Sequence, residues 1–294
     1  MNKRFHFLSK LSILYYLSIL LIFTLLFNAC NQKNETPNKN DSTFDNIIKN
    51  KEIRCGYVIY PPGCIKDPNT GKLTGIFIDA LNEAGKNLGI KISWVEEVGW
   101  GSMIEGLNTH RYDIIGSPVW ANATRAKVAD FTIPLFYSGI GVIVRKNDNR
   151  FNNLSNINNK NIKIATIDGE MSDIIANSQF PLAQKVSLPQ LSDVSQVLLN
   201  VAEGKADVAF VEPYFLNEYL KNNSDNLKNI AIQNPIRVFP NTMMIRQGDF
   251  KLKAMLNTAL RELINNGFID RLIDKYQSRP NELYKVALPY QAEK

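Results

Sequence analysis

Short apolar runs alternate with stretches of helical period between residues 53 and 144, and this alternation leaves few folds open to the chain. Residues 53–59 form an apolar run that stops at Pro61, Pro62 and Gly63, which predicts a strand ending in a turn. Residues 76–88 carry apolar side chains at helical spacing and end at Gly89, a suitable C-cap. A strand over 90–95, a helix over 102–107, a strand over 112–115 and a further helix from residue 124 follow. A β-α-β-α-β order argues for an open, mostly parallel sheet flanked by helices. A second alternating block predicts strands at 163–167 and 206–211 and helices at about 171–177, 194–203 and 213–221, the last with Pro213 in its first turn. Residues 250–276 read as helical, with Leu252, Met255, Leu256, Leu260, Leu263 and Ile264 near 3.6 spacing. Two alternating blocks within residues 51–294 suit two lobes better than one core.

The N-terminus is a targeting segment. Lys3, Arg4 and Lys10 precede an almost continuously apolar run over 11–27, which ends in Phe27-Asn28-Ala29-Cys30. A small residue before a cysteine at that place reads as a lipobox, so residues 1–29 are expected to be a lipoprotein signal peptide and Cys30 the lipid attachment point. The apolar run of about 17 residues is also at the lower edge for a membrane span, which leaves an uncleaved N-terminal anchor as the alternative. Either way, the rest of the chain is exported and held at a membrane. Residues 30–50 are rich in Asn, Lys, Thr and Ser and predict a flexible tether.

Charge and cysteines bound the function. The net charge is +6; once Lys3, Arg4 and Lys10 leave with the signal, 31 basic residues face 28 acidic ones, a net +3. No Lys/Arg cluster suggests nucleic acid. Cys55 and Cys64 lie nine residues apart in an exported chain and can form a disulfide, or can remain reduced thiols in core and loop. His110, the one histidine beyond the signal, is expected on a surface turn, and no spacing suggests a metal, a cofactor or a Ser/His/Asp set.

The segments GKLTGIFIDALNEAGKNLG and WGSMIEGLNTHRYDIIGSPVWANATRAKVADF, in that order, resemble lobe 1 of the family-3 extracellular solute-binding proteins, which serve amino-acid ABC transporters. The resemblance implies an α/β periplasmic-binding-protein type II fold with two lobes, each a mainly parallel sheet flanked by helices. Lobe 1 would comprise residues 51–138 and 241–278, lobe 2 residues 139–240, with 279–294 as a C-terminal tail and a hinge of two crossover strands near Ser138 and Pro240. It further implies a monomer that closes on a small zwitterion and passes it to an ABC permease, with no cofactor, metal or catalysis.

Site residues follow from the same resemblance. Arg125, after the 112–115 strand, would hold the ligand carboxylate, since a guanidinium offers it two parallel hydrogen bonds; otherwise it is an exposed first-turn arginine. Backbone groups of Ser117 and Trp120 would touch the ligand. The loop departs from the family pattern, with Pro118 and Trp120 in place of Gly and Thr and Asn122 in place of Thr, so one or two hydroxyl donors are lost. Tyr60 and Trp100 would flank the ligand side chain or pack in the core, and Tyr57 stands where members that bind basic amino acids carry an acid. In lobe 2, Gly169 and the Met171 amide would meet the carboxylate, with Glu170 as a helix cap. Glu212 ends a Gly204-Lys205-Ala206-Asp207 strand signature and would bind the ammonium, or act as a plain helix N-terminal acid. Two alternatives share the fold: an exported cyclohexadienyl-dehydratase-like enzyme, whose acid would be expected near Phe215, and a lipoprotein that presents its ligand to a sensor.

Overall fold

The computed structural model describes residues 42–280 and 282–288. The expected signal peptide, Cys30 and most of the expected tether lie outside these residues. The chain runs through α1 (Thr43–Asn50), β1 (Glu52–Tyr57), β2 (Ile65–Lys66), β3 (Leu73–Thr74), α2 (Ile76–Leu88), β4 (Lys91–Glu97), α3 (Met103–Asn108) and β5 (Ile114–Trp120). It continues with β6 (Ala129–Phe131), β7 (Phe136–Arg145), β8 (Lys163–Ile167), α4 (Met171–Gln179), β9 (Gln184–Leu188), α5 (Val194–Ala202), β10 (Val208–Val211) and α6 (Pro213–Asn222). It ends with β11 (Leu227–Asn229), β12 (Arg237–Arg246), α7 (Phe250–Asn265), α8 (Phe268–Tyr276) and β13 (Leu283–Lys285).

The main sheet has the order β4-β1-β5-β12-β7-β10-β8-β9. Its two ends are parallel: β1 pairs in parallel with β4 and β5, and β8 pairs in parallel with β9 and β10. The middle is antiparallel and depends on two ten-residue strands. β7 pairs with β12 through Phe136–Ile140 and with β10 through Gly141–Val144. β12 pairs with β7 through Arg237–Asn241 and with β5 through Asn241–Ile245. Each long strand therefore belongs to one parallel block along half its length and to its long partner along the rest. The sheet is mixed, and the crossovers expected near Ser138 and Pro240 fall on β7 and β12.

Local sequence explains most elements. α2 buries Ile76, Phe77, Ala80, Leu81 and Ala84 on one side and closes at Gly89, whose φ of 66° is open to glycine without strain. The N–H of Ile90 then returns to the Gly85 carbonyl at 2.8 Å. β5 is buried at every position, as a central strand covered on both faces must be. One core gathers Ile53, Phe77 and Leu81 with Leu256 and Leu260 of α7 and Ile273 of α8. Another runs from Ile164, Ile175, Leu198 and Phe210 through β7 to Tyr60, Trp100 and Trp120.

Three local expectations are corrected, and one open alternative is decided. Residues 43–50 are an α-helix and not a tether: Ser42 caps it by accepting from the Asp45 N–H, and Phe44, Ile47 and Ile48 fall at i, i+3, i+4, with Ile47 buried in the first core. The helix expected from residue 124 is a single 3₁₀ turn, Arg125–Lys127, because the next residues pair as β6 with β12. The 250–276 helix breaks in two at Gly267, whose φ is 73°. Cys55 and Cys64 are both buried and are free thiols, Cys55 within β1 and Cys64 bridged through its backbone to Tyr60.

Candidate ligand-binding site

In open α/β sheets, ligands sit beyond the carboxyl ends of parallel strands, where helix N-termini present free N–H groups. Here the end of β5 (Trp120), the turn after β8 (Gly169) and the end of β10 (Glu212) meet, and Tyr60 and Trp100 arrive from the loops after β1 and β4.

Arg125 is 8% exposed. Asn122 places it, its Oδ1 accepting from the Arg125 backbone N–H at 3.0 Å. The guanidinium donates from Nη1 to the Trp120 carbonyl at 3.3 Å and from Nη2 to the Gly169 carbonyl at 3.0 Å. Among the described residues it forms no ion pair. Gly169 can turn its carbonyl there because it sits at φ 74°, a conformation that side chains resist. Its Cβ position lies 3.5 Å from the Trp100 Cβ. Burial pushes the arginine down to about 10, and the Glu170 charge pulls it partly back, so it remains a cation at neutral pH.

Glu212, 3% exposed, occupies the N-cap of α6 without capping it. Its carboxyl accepts from the Tyr60 hydroxyl at 2.6 Å, and the nearby Ser138 hydroxyl favours its ionised form. Ser138 of β7 accepts from Asn241 Nδ2 of β12 at 2.6 Å. The two long strands thus meet beside the carboxyl. Among the described residues Glu212 also has no ion-pair partner. Burial pushes it up to about 8; the Tyr60 hydrogen bond works against this, and the Glu170 charge adds to it. Tyr60 is raised well above its ordinary value, chiefly by burial and then by Glu212.

Glu170 caps α4 as expected, accepting from the backbone and hydroxyl of Ser172. It is buried all the same, and burial pushes it up to about 7 against the pull of those bonds and of Arg125. The cleft therefore contains two buried carboxyls and one buried guanidinium.

Aromatic rings fill the space between these groups. Tyr60 meets Trp100, Trp120 and Phe215 edge-on at 5.5, 5.0 and 4.8 Å between centroids, and Trp100 stacks on Trp120 at 5.5 Å and 13°. The Arg125 guanidinium lies 6.0 Å from the Trp100 ring. Packing leaves a void of only about 10 Å³ beside Tyr60, Ser138, Glu212, Phe215 and Asn241, smaller than any amino acid.

The residues singled out from sequence do not all take the same place. Tyr60, Trp100, Trp120, Arg125, Gly169 and Glu212 form one connected group. Met171 is buried at the start of α4. The Ser117 hydroxyl is tied to the Val58 N–H at 2.8 Å and braces β5 against the segment after β1. Tyr57 packs against Trp94 and is not among the rings around Tyr60. Phe215 is a wall of the cleft and brings no acid. Sequence reasoning did not find Ser138 beside Glu212, Asn241 as the donor to Ser138, or Gln190, whose Oε1 accepts from the Gly101 N–H at 2.8 Å. A signal existed for Gln190: Gly99 and Gly101 flank Trp100, and a Cβ on either would lie 2.7 or 2.8 Å from the glutamine amide.

Comparison with known proteins places the fold. The L-cystine-binding protein TcyA of Bacillus subtilis is 23% identical over 219 residues, covering 74% of this chain and 77% of that protein. The probable ABC transporter extracellular-binding protein YckB of the same organism is 28% identical over 228 residues, covering 76% of each. The crystal structure of the ancestral amino acid-binding protein AncCDT-1, a precursor of cyclohexadienyl dehydratase, superposes with a TM-score of 0.69 at 27% identity, covering 81% of this chain and all of that one. Among the described residues no helix is long and apolar enough to cross a membrane. Residues 53–279 match the bacterial extracellular solute-binding proteins, family 3, and with that match over most of its length the chain belongs to this family.

Proposed function

We propose that this chain is a lipid-anchored, extracytoplasmic receptor that closes two lobes on an amino acid, with the carboxylate on Arg125 and the ammonium on Glu212, and delivers it to an ABC permease. The observation that carries this reading is a guanidinium and a carboxyl buried in one cleft, neither with an ion-pair partner among the described residues. Unmatched buried charge costs several kcal/mol, roughly, per ion, and a zwitterion matches both at once. The similar proteins named for L-cystine and amino acids support the ligand class.

In this reading residues 51–138 with 241–278 form lobe 1, residues 139–240 form lobe 2, and β7 and β12 form the hinge. The ligand replaces contacts that the protein makes with itself: its ammonium donates to Glu212 in place of the Tyr60 hydroxyl, and its carboxylate accepts from Arg125 in place of the Gly169 carbonyl. Opening separates Tyr60 from Glu212 and makes the room that the packed rings otherwise fill. Cys30 carries the lipid, and residues 31–42 link it to the folded part.

A second reading has one observation in its favour. The Glu212 carboxyl, pushed up to about 8, retains its proton at neutral pH and could deliver it, as a dehydratase requires. Phe215, one turn on, supplies a ring where that enzyme would need an acid. Product formation from prephenate or arogenate would replace the transport reading.

Three outcomes are expected. A thermal-shift screen of the full-length protein with the common amino acids and L-cystine finds a stabilising ligand, and Arg125→Ala and Glu212→Ala each weaken it by about 2–5 kcal/mol in calorimetry; unchanged affinity in both variants overturns the clamp. Because an ammonium favours ionised Glu212, affinity rises as pH increases from 5.5 toward about 8, with proton release that calorimetry in buffers of different ionisation heat detects; a flat profile contradicts the pairing. Cys30→Ala moves the protein from the membrane fraction to the soluble one, whereas retention favours the uncleaved anchor.

A further inference from the structure

Among the described residues, two buried donors beside Arg125 have no hydrogen-bond partner: the Trp120 indole Nε1 and the Asn122 carboxamide Nδ2. Buried N–H groups are nearly always satisfied, and an unmade bond costs about 1–3 kcal/mol. Both belong to residues that already touch Arg125. The Trp120 carbonyl accepts from Nη1 of Arg125, and Asn122 Oδ1 accepts from its backbone N–H. Fixing Oδ1 on the backbone of Arg125 also fixes the carboxamide, so its Nδ2 cannot exchange places with the acceptor. Trp120 is 1% exposed, and its ring is held between Trp100, Tyr60 and Phe239, so the indole is held as well.

We infer that the Trp120 indole N–H and the Asn122 amide N–H are ligand donors which, with the Arg125 guanidinium, complete the grip on the carboxylate of the bound amino acid; this rests on the reading of Arg125 as the carboxylate site. The stoichiometry fits. A carboxylate offers about four acceptor positions. A guanidinium takes two in parallel, and the indole and the carboxamide take one each. These two residues stand where the hydroxyl donors expected from the family pattern are missing, so the loop from β5 to Arg125 replaces hydroxyls by N–H groups. Unlike hydroxyls, neither N–H can accept a hydrogen bond. The set therefore admits a bare carboxylate and disfavours a group that must itself donate, such as a carboxamide.

The test compares affinities of the full-length protein for the best-binding member of the common amino acids and L-cystine, and for the α-carboxamide of that same ligand. Trp120→Phe keeps a ring and removes the donor; Asn122→Ala removes the other. Each is expected to lower the preference for carboxylate over carboxamide roughly tenfold. A purely structural role weakens both ligands alike and leaves the ratio unchanged, which overturns the inference while the receptor reading stands. If no amino acid binds the wild-type protein, the receptor reading fails and the inference fails with it. Should Trp120→Phe not fold, ¹⁵N NMR of the wild-type protein, with its three tryptophans, reads the same contact. One indole N–H signal moves downfield with the amino acid and much less with the carboxamide; no movement in any indole signal overturns the assignment.

Discussion

The antiparallel pairing of β7 with β12 is the constraint on which the rest of the molecule depends. Two parallel blocks, β4-β1-β5 and β10-β8-β9, have no direct strand pairing with each other and are joined in one sheet only through these two strands. The same strands carry Ser138 and Asn241, which meet by a side-chain hydrogen bond and lead to the Glu212 carboxyl. The segment that joins the blocks thus also fixes one of the charges between them. A rotation about β7 and β12 would move Glu212 and Gly169 relative to Tyr60 and Arg125 while leaving each block intact.

Around that frame the cleft combines features that are costly in isolation. Among the described residues, a guanidinium and a carboxyl are buried without ion-pair partners, a second carboxyl is buried as a helix cap, and two N–H donors lack acceptors. Natural structures retain such arrangements where function requires them. The aromatic cluster of Tyr60, Trp100, Trp120 and Phe215 keeps water from these groups and so raises the strength of any charge pairing formed there.

Much of this could be read in the sequence, for physical reasons that differ by element. Helical period, with the cap at Gly89, located most helices, because those signals are local. Arg125, Gly169 and Glu212 could be named because the resemblance places ligand contacts in the segments after three strands, where an α/β fold puts its ligand. Ser138 and Asn241 could not: each is an ordinary polar residue inside a long strand, and their pairing joins positions 103 residues apart. Tyr60 was legible as a cleft ring but not as the donor to Glu212, since that contact spans 152 residues. The helix expected from residue 124 shows the opposite error. Its local propensity was reasonable, but β12 offers residues 129–131 a strand edge, and pairing there outweighs continuing the turn. At residues 43–50 a polar composition hid an amphipathic turn whose one fully buried residue, Ile47, joins the core.

The central claim is that a buried guanidinium and a buried carboxyl, without ion-pair partners among the described residues, are matched by the two ends of one ligand. The most direct measurement is calorimetric affinity for three forms of that ligand: the amino acid, its decarboxylated amine and its N-acetyl derivative. The account predicts that removing either charge weakens binding by at least about 2 kcal/mol, because each leaves one buried group of the protein unpaired. Comparable affinity for all three forms would contradict it.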